Sequence, residues 1–315
     1  MTRFWIRFIV FAAGCLFFAG CARQGSVQSV EGDGAWPEVL RLGYSPAEEL
    51  LVDREAANLA LARYLERKAG IKVELVQTPA YAPAVEALAG GRVDLISLGP
   101  LAYVMAAERG VAEPLAVQGD ARTGPRTYQS ALIARGGSGL NSLADVVAKA
   151  GEVRFNYTDP ASNSGHLVPK AKLATLALVP ERDFARTEYT RSHAVAVLNV
   201  ALGAADLAGV SATTLQSLLK KGRIDANLIT VLWTSAPLPN GPMTVRASLP
   251  VSLKRKLREA LLSLALSEPE LSRKVMAQYR DANSVFVSCD DTLYAVLHEL
   301  AAQDRVLVQG DKTQQ

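Results

Sequence analysis

The amino-acid sequence predicts an α/β protein whose chain is divided between two lobes. Strand-like and helix-like segments alternate along most of the 315 residues. This alternation predicts mixed, mostly parallel sheets with helices on both faces. The rhythm breaks at residues 119–127, which contain the turn-rich stretch DARTGPRT, and then resumes. The two groups of elements on either side of the break indicate two lobes, with a ligand expected at the carboxyl ends of strands.

The first group of elements precedes the break. A strand at VLRLGYS is followed by helical periodicity from residue 46 to Gly70, which is the expected stop signal. The segments that follow alternate in the same way: the strand IKVELVQT, the helix PAVEALAGG, the strand RVDLISLG, the helix PLAYVMAAERG and the strand AEPLAVQG.

The second group begins directly after the break. Its segments are the strand YQSALIARGG, the helix LNSLADVVAKAG, the strand EVRFNYTD, the helix SHAVAVLNVALGA, the strand ADLAGVS, the helix TTLQSLLKKG and the strand LITVLWTS. We expect the strands at 128–134 and 229–234 to carry the chain across between the lobes. Two or three helices between Pro250 and Asp304 are expected to complete the fold.

The N-terminus has the layout of an exported lipoprotein. MTRFWIR carries two arginines and no acidic residue, and FIVFAAGCLFFAG is an apolar run of 13 residues, which fits a signal-peptide core but not a transmembrane helix. The run leads into FAGC, which resembles a bacterial lipoprotein box although Phe18 stands where leucine is usual. We therefore expect a signal peptide at 1–20, lipidation of Cys21, and a polar tether at 21–36. The alternative is an ordinary soluble secretory protein.

Cysteine and charge counts exclude several classes of protein. Cys15 leaves with the signal peptide and Cys21 carries lipid, so Cys289 has no partner and the fold must rely on a large core. The formal net charge is +3, and removal of Arg3 and Arg7 leaves +1. A chain this close to neutral does not indicate nucleic acid or a strongly anionic membrane surface as a partner.

Most enzyme classes lack their motifs in this chain. The histidines, His166, His193 and His298, show no HExxH-like spacing, and a lone cysteine completes no set of metal ligands. No GxGxxG, GxxxxGK[ST] or GxSxG motif is present, and GGSGLNS fits a loop before a helix. We therefore expect a protein that is not an enzyme and that uses neither a metal nor a cofactor.

A row of small polar residues, Ser162, Asn163 and Ser164, lies between a strand candidate and a helix that we expect to begin near Gly165. Pro169 fits the first turn of such a helix if the helix starts a residue or two later. Serine and asparagine cap helices, but the same groups, with the unpaired N–H groups of a first turn, also form anion sites. The loop alone does not decide between capping and anion binding.

The loop DPASNSGHLVP is similar to the DPxSxSGxxxP loop of periplasmic phosphonate-, phosphite- and phosphate-binding proteins of ABC importers. Four more blocks resemble this family in the right order: AYAPAVEALAGGRVDLISLGPLAYVMA, RTYQSALIARGGSGLNSLADV, RSHAVAVLNVALGAADLAGV and WTSAPLPNGPMTVR. The resemblance implies the type II periplasmic binding protein fold, in which two α/β lobes joined by two hinge crossovers close over a ligand. It implies a first lobe of 37–125 and 235–315 and a second lobe of 126–234.

Position by position, the resemblance also implies a set of ligand-binding residues: Tyr81, Tyr128, Ser162, Asn163, Ser164 and His193. Several have a structural alternative, because Tyr81 could cap a helix, Tyr128 could serve strand packing and His193 could cap the helix that it opens. A histidine at this position could donate when protonated and accept when neutral, so it would respond to ligand protonation near neutral pH.

The sequence departs from the family pattern at informative positions. Asn163 replaces the usual threonine, although its amide is still a donor. Thr213 and Asn240 stand where members that bind aminoalkyl phosphonates place carboxylates, so a ligand ammonium would lack a partner. Asn240 remains a possible ligand contact of another kind, and Asp206 is either a ligand contact or a structural carboxylate that receives loop N–H groups.

The resemblance implies a monomeric, lipid-anchored periplasmic protein that presents phosphite, phosphate or a simple alkylphosphonate to the permease and ATPase of an ABC importer. Closure of the lobes over the ligand would be the state that the permease recognises. Two alternatives stay open. One is a ligand-sensing receptor subunit of a signalling system that uses the same fold, and the other is a phosphoester hydrolase, for which no nucleophile or metal constellation is visible.

Overall fold

The structure is a computed structural model that describes residues 34–44, 54–279 and 281–312, with the backbone alone at 305–312. The predicted signal peptide, the lipidated Cys21 and the predicted tether as far as residue 33 lie outside the described residues. The beginning of the first predicted helix, residues 46–53, also lies outside them. None of the described helices combines the length and the apolar character that crossing a membrane requires.

Strands and helices alternate as the sequence predicted. The first half of the chain forms β1 Val39–Tyr44, α1 Arg54–Ala69, β2 Lys72–Gln77, α2 Tyr81–Ala89, β3 Leu95–Ser97, α3 Pro100–Glu108, β4 Ala112–Asp120, β5 Gly124–Pro125, β6 Thr127–Tyr128, β7 Ser130–Arg135, α4 Leu143–Ala148 and β8 Arg154–Tyr157. The second half forms a π turn at Asn163–Leu167, then α5 Val168–Ala174, α6 Pro180–Asp183, β9 Arg186–Tyr189, α7 His193–Ala201, β10 Leu207–Ser211, α8 Ala212–Lys220, β11 Ile229–Thr234, β12 Leu238–Pro239, β13 Pro242–Arg246, α9 Val251–Ser267, α10 Pro269–Ala277, β14 Val285–Ser288 and α11 Ala295–Lys312.

Two sheets contain most of these strands. The seven-stranded sheet has the order β14-β4-β13-β3-β1-β2, with β5 paired to β4, and the five-stranded sheet has the order β11-β7-β10-β8-β9. The register of the first sheet places Leu42 beside Leu75 on one neighbour and beside Leu95 on the other. The α/β class and the mixed sheets predicted from the sequence are confirmed.

Parallel pairing does not predominate in either sheet, contrary to the prediction. The pairs β1–β2, β1–β3, β8–β9 and β8–β10 are parallel, whereas β13 pairs antiparallel with β3 and β4, and β7 pairs antiparallel with β10 and β11. The reason is topological. The chain leaves the first sheet after β4 and returns to it through β13, and it enters the second sheet through β7 and leaves it through β11. A strand through which the chain leaves a sheet and a strand through which it returns at the same end of that sheet run in opposite directions.

The chain passes between the sheets through residues 126–129 and 235–241, and these two passages are bonded to each other. Their strands β6 and β12 form an antiparallel pair in which Tyr128 opposes Leu238. Ser130 N donates to Ser235 Oγ at 3.0 Å, and Gln129 Nε2 donates to the Ser235 carbonyl at 2.6 Å. The strands predicted as the crossovers were 128–134 and 229–234. Apart from residues 128 and 129, they correspond to β7 and β11, which instead lie inside the second sheet, next to these passages.

Helices cover both faces of each sheet. Successive side chains of a strand point to opposite faces, and each face is covered by an apolar cluster that includes helices. In β3, Leu95 joins a cluster with α1, α9 and α10, while the next residue, Ile96, joins a cluster with α2, α3 and α11. The second cluster also contains Ala161 and Leu167, which flank the Ser-Asn-Ser loop. Burial of a leucine such as Leu167 stabilises the fold by roughly 1.5–3 kcal/mol, so the loop is anchored to the helices of the first sheet.

Candidate functional site

The Ser-Asn-Ser loop opens a helix earlier than the sequence predicted. Helical structure begins at Asn163 rather than near Gly165, and its first turn is a π turn that continues into α5. Ser162 is the N-cap, and its Oγ accepts a hydrogen bond from Gly165 N at 3.0 Å. The bonds from Leu167 N to the Ser162 carbonyl and from Val168 N to the Asn163 carbonyl have the wider i→i+5 spacing. Single π turns of this kind are frequent at functional sites.

Pro169 accounts for the wide turn. It is the second residue of α5 and has no N–H, so it cannot donate to the Gly165 carbonyl with α spacing or to the Ser164 carbonyl with π spacing. Both carbonyls find other donors. Ser130 Oγ donates to the Ser164 carbonyl at 2.8 Å, and Thr158 N donates to the Gly165 carbonyl at 3.0 Å. These long-range bonds hold the loop against the second sheet.

Gly165 allows this loop to lie against the imidazole of His193. A Cβ at position 165 would lie 2.1 Å from Thr158 Oγ1 and 2.9 Å from His193 Cε1, closer than real contacts allow. His193 is the first residue of α7, behind the N-cap Ser192, and only 5% of it is exposed. The glycine in the motif is therefore required by packing at the site.

The hydrogen bonds of His193 define its tautomer. Ser211 N, a backbone donor, lies 3.0 Å from Nδ1, so Nδ1 must accept and the ring proton belongs on Nε2. Nε2 lies 3.5 Å from Ser162 Oγ. If the ring were protonated on both nitrogens, the N–H of Nδ1 would point at the N–H of Ser211, and neither could accept. The neutral imidazole thus already presents a donor at Nε2, which differs from the expectation that protonation would supply it.

The two tyrosines come from different elements. Tyr128 ends β6, and Asn163 Nδ2 donates to its hydroxyl at 3.4 Å. Burial raises the pKa of the Tyr128 hydroxyl above its ordinary value, so the group stays protonated and able to donate. Tyr81 opens α2, and its ring passes close to the backbone of Gly99, where a Cβ would lie 3.6 Å from the ring.

These side chains surround one cavity of about 320 Å³ between the two sheets. Seven of the eight ligand-site residues named from the sequence line it: Tyr81, Tyr128, Ser162, Asn163, Ser164, His193 and Asn240. Asn240 is oriented by its neighbour, because its Nδ2 donates to Gln118 Oε1 at 2.9 Å. The structure thus brings together residues that are up to 159 positions apart in the chain, from Tyr81 to Asn240.

Asp206 does not line this cavity, and its carboxylate is engaged elsewhere. Arg154 donates to it from Nε and Nη2, both at 2.8 Å, and Arg135 lies 3.6 Å away. Hydrogen bonding from Arg154 holds the pKa of the Asp206 carboxyl below its ordinary value. The structure therefore favours the structural interpretation of Asp206 over a role in ligand contact.

Five helices begin at the cavity wall. The first residue or the N-cap of α2, α3, the helix that starts at Asn163, α7 and α8 lines the cavity: Tyr81, Gly99, Ser162, His193 and Ser211. Each helix N-terminus carries about half a positive charge on N–H groups that have no partner within the helix, although some of them, such as Gly165 N and Ala212 N, are bonded to other groups. These dipoles add positive potential at the cavity wall without lysine.

Some residues that line the cavity were not predicted as site residues, because no motif in the sequence marks them. Arg126 and Asp281 line the cavity and form a loose ion pair, with 3.4 Å between Arg126 Nη2 and Asp281 Oδ2. Thr214 is fully buried, and its Oγ1 has no hydrogen-bond partner. Asn163 Oδ1 is also buried without a partner. A cluster of three His, Cys, Asp or Glu side chains that could hold a metal ion is not found within the part of the chain that the structure describes.

Residues 46–294 match the family described as "ABC transporter, phosphonate, periplasmic substrate-binding protein". The chain is 32% identical over 239 residues to the phosphate-import protein PhnD of Mycolicibacterium smegmatis, covering 72% of each chain. It is 28% identical over 224 residues to the phosphonates-binding periplasmic protein of Escherichia coli, covering 70% of this chain and 66% of the relative.

A solved structure agrees with these relatives. The binding protein component of an ABC phosphonate transporter from Pseudomonas aeruginosa superposes with a TM-score of 0.73 at 27% identity, covering 85% of this chain and 86% of that one. The two-lobe α/β fold and the resemblance drawn from the five sequence blocks are both confirmed. The chain belongs to the family of periplasmic substrate-binding proteins of phosphonate ABC transporters.

Proposed function

We propose that the cavity binds a small phosphorus oxyanion, namely phosphite, phosphate or a simple alkylphosphonate, for delivery to the permease and ATPase of an ABC importer. The observation that carries this proposal is the convergence of five helix N-termini on one cavity. Helix N-termini hold phosphate groups through their N–H groups and dipoles. In a cleft of low dielectric these dipoles act more strongly than they would in water.

Side-chain donors complete the proposed oxyanion site. The imidazole of His193 and the hydroxyls of Ser162, Ser164 and Tyr128 line the cavity and would turn their donors to the ligand. Rotation of the Asn163 amide by half a turn would let Tyr128 donate to Oδ1 and free the NH2 group for the ligand. The partnerless hydroxyl of Thr214 would gain a partner on binding. Uncharged donors therefore suffice for a dianion in this proposal.

We propose that the two lobes, 37–125 with 235–315 and 126–234, close over the ligand. Support comes from the two sheets and from the bonded passages at β6 and β12, where rotation about a few backbone angles would change the cleft width. A ligand that contacts both walls favours the closed form, which the permease would then recognise.

We also propose that the mature protein is a monomer held in the periplasm by lipid on Cys21. The support is the FAGC motif and the polar tether after it. Two acyl chains or more give stable membrane attachment, whereas a single chain binds reversibly.

Isothermal titration calorimetry of the purified protein with phosphite, phosphate and methylphosphonate tests the proposed ligand class. We expect saturable binding of at least one of them. Methanesulfonate and glycine serve as controls, because they are a sulfonate and an amino acid of similar size. Binding of a sulfonate or an amino acid, with no response to any phosphorus oxyanion, would contradict the proposal.

A further inference from the structure

The cavity is larger than an inorganic oxyanion requires. Its volume of about 320 Å³ corresponds to the space of roughly ten waters in the liquid. The side-chain donors proposed for the oxyanion on Ser162, Ser164 and His193 come from elements of the second sheet, whereas the N-termini of α2 and α3 come from the first. Four further lining residues, here called the rim, remain for a substituent on the ligand: Arg126, Asn240, Tyr279 and Asp281.

Arg126 is the group on this rim with spare hydrogen-bonding capacity. Its backbone is fixed, because its N–H donates to the Gln118 carbonyl at 2.9 Å and its carbonyl accepts from Asn240 N at 3.3 Å. Its side chain is 46% exposed and meets Asp281 through a single contact of 3.4 Å. A guanidinium has five N–H donors and binds a carboxylate best through two parallel bonds. A second, bidentate partner can therefore be accommodated.

Asp281 is more engaged than Arg126. Its Oδ1 accepts from Asn283 N at 3.2 Å, and its Oδ2 faces Arg126. Each oxygen thus has one partner and one further lone pair, and Thr213 and Asn240, which also line the cavity, are neutral. A ligand ammonium would find only a carboxylate that already faces a guanidinium, whereas a ligand carboxylate would find the unused N–H donors of Arg126.

The register of β6 relates Arg126 to the proposed oxyanion site. Arg126 precedes β6 by one residue and Tyr128 ends it, and both residues line the cavity. Two residues of a strand span about 6.6 Å. The Tyr128 hydroxyl contacts Asn163 of the loop, and Arg126 lines the same cavity as the loop, so a substituent on an oxyanion held at the loop can extend toward the guanidinium.

From these observations we propose that the preferred ligand is a short phosphonocarboxylate, with its phosphonate at the Ser-Asn-Ser loop and its carboxylate on Arg126. This rests on the proposed function, because it assumes that the loop holds the phosphonate. Asp281 keeps the guanidinium in place before the ligand arrives and shares it afterwards.

Calorimetry with phosphonoacetate and propylphosphonate tests this assignment, because the two differ chiefly in the carboxylate. We expect the full-length protein to bind phosphonoacetate about five- to tenfold more tightly, a modest preference because the guanidinium is half exposed. Arg126→Gln should bring the ratio of the two dissociation constants close to one. Arg122→Gln, which changes an exposed arginine of the same segment outside the cavity, should leave the ratio unchanged.

Other results would overturn the assignment. Equal affinity of the unaltered protein for the two ligands would do so, as would an equal loss for both ligands in Arg126→Gln, which would place the guanidinium on the phosphonate itself. Tighter binding of 2-aminoethylphosphonate than of phosphonoacetate would assign the rim to Asp281 instead. If no phosphonate, phosphite or phosphate binds at all, the proposed function fails, and this outcome is distinct from a failure of the carboxylate preference alone.

Discussion

Ser162 has two roles in the structure that a single substitution would remove together. Its Oγ caps the helix by accepting from Gly165 N at 3.0 Å, and the same atom lies at the cavity wall, 3.5 Å from His193 Nε2. Ser162→Ala should therefore lower both the free energy of unfolding and the affinity for phosphite or methylphosphonate. The two losses are measured separately, by urea unfolding without ligand and by calorimetry with ligand.

The expected sizes follow from the two contacts of Ser162. Loss of a serine N-cap costs roughly 0.5–2 kcal/mol of stability. Loss of a hydroxyl donor to a charged ligand costs roughly 1.5–3 kcal/mol of binding free energy. The second figure corresponds to a dissociation constant about 10- to 150-fold higher. Because Ser162 is 4% exposed, water cannot readily replace the missing hydroxyl.

Ser142→Ala is the matched control. Ser142 is also an N-cap, since its Oγ accepts from Asp145 N at 3.2 Å at the start of α4, but it does not line the cavity. We expect a similar loss of stability and an unchanged dissociation constant. The reasoning is refuted if Ser162→Ala binds with full affinity, or if Ser142→Ala loses as much affinity as Ser162→Ala does.

Three further substitutions test separate statements. Thr214→Val removes a buried hydroxyl that has no hydrogen-bond partner, so the ligand-free protein should unfold at the same or a higher temperature. The affinity for the ligand should fall. Unchanged affinity would show that Thr214 does not contact the ligand. Asp206→Asn should destabilise the protein at neutral pH without affecting affinity. Because Arg154 lowers the pKa of the Asp206 carboxyl, the ion pair stabilises the protein above the ordinary carboxyl pKa, and this stabilisation is lost as the pH falls. In urea unfolding, the difference in the free energy of unfolding between the unaltered protein and Asp206→Asn should therefore shrink in acid. A difference that does not change with pH would refute the ion-pair explanation. Cys21→Ser should abolish metabolic labelling with palmitate and release the protein from the membrane fraction, and persistent labelling would contradict lipidation at Cys21.

Strand and helix positions could be predicted because they depend on local periodicity. The alternation in β3, where Leu95 and Ile96 point to opposite clusters, is visible in the sequence as a short apolar run bounded by turn residues. The direction of strand pairing was not predictable in the same way. It depends on where the chain leaves and re-enters each sheet, and no short window contains that information.

The start of the site helix illustrates a second limit. The sequence shows Pro169, but the Ser164 and Gly165 carbonyls that this proline leaves unbonded receive their donors from Ser130 and Thr158, which are remote or in another element. The π turn at Asn163 is stable because of those tertiary bonds. Local propensity therefore placed the helix start near Gly165, two residues too late.

The hydrogen-bond donors of the cavity could be predicted from the sequence, but its arginine, Arg126, could not. The loop, the two tyrosines and His193 lie in blocks that resemble a known family. Arg126 lies in the segment DARTGPRT, where the periodicity breaks and no motif marks it. The tautomer of His193 depends on Ser211 N, 18 positions away, so it required coordinates.

The five helix N-termini also affect the energetic cost of ligand release. A pocket built from lysines would hold stranded positive charge once vacated, and that repulsion would oppose an empty cleft. Peptide dipoles fixed in a backbone lose little when water fills the space, because each N–H simply exchanges one acceptor for another. Emptying the cleft at the transporter then costs mainly the contacts with the cargo itself, which suits a carrier that must be reloaded many times.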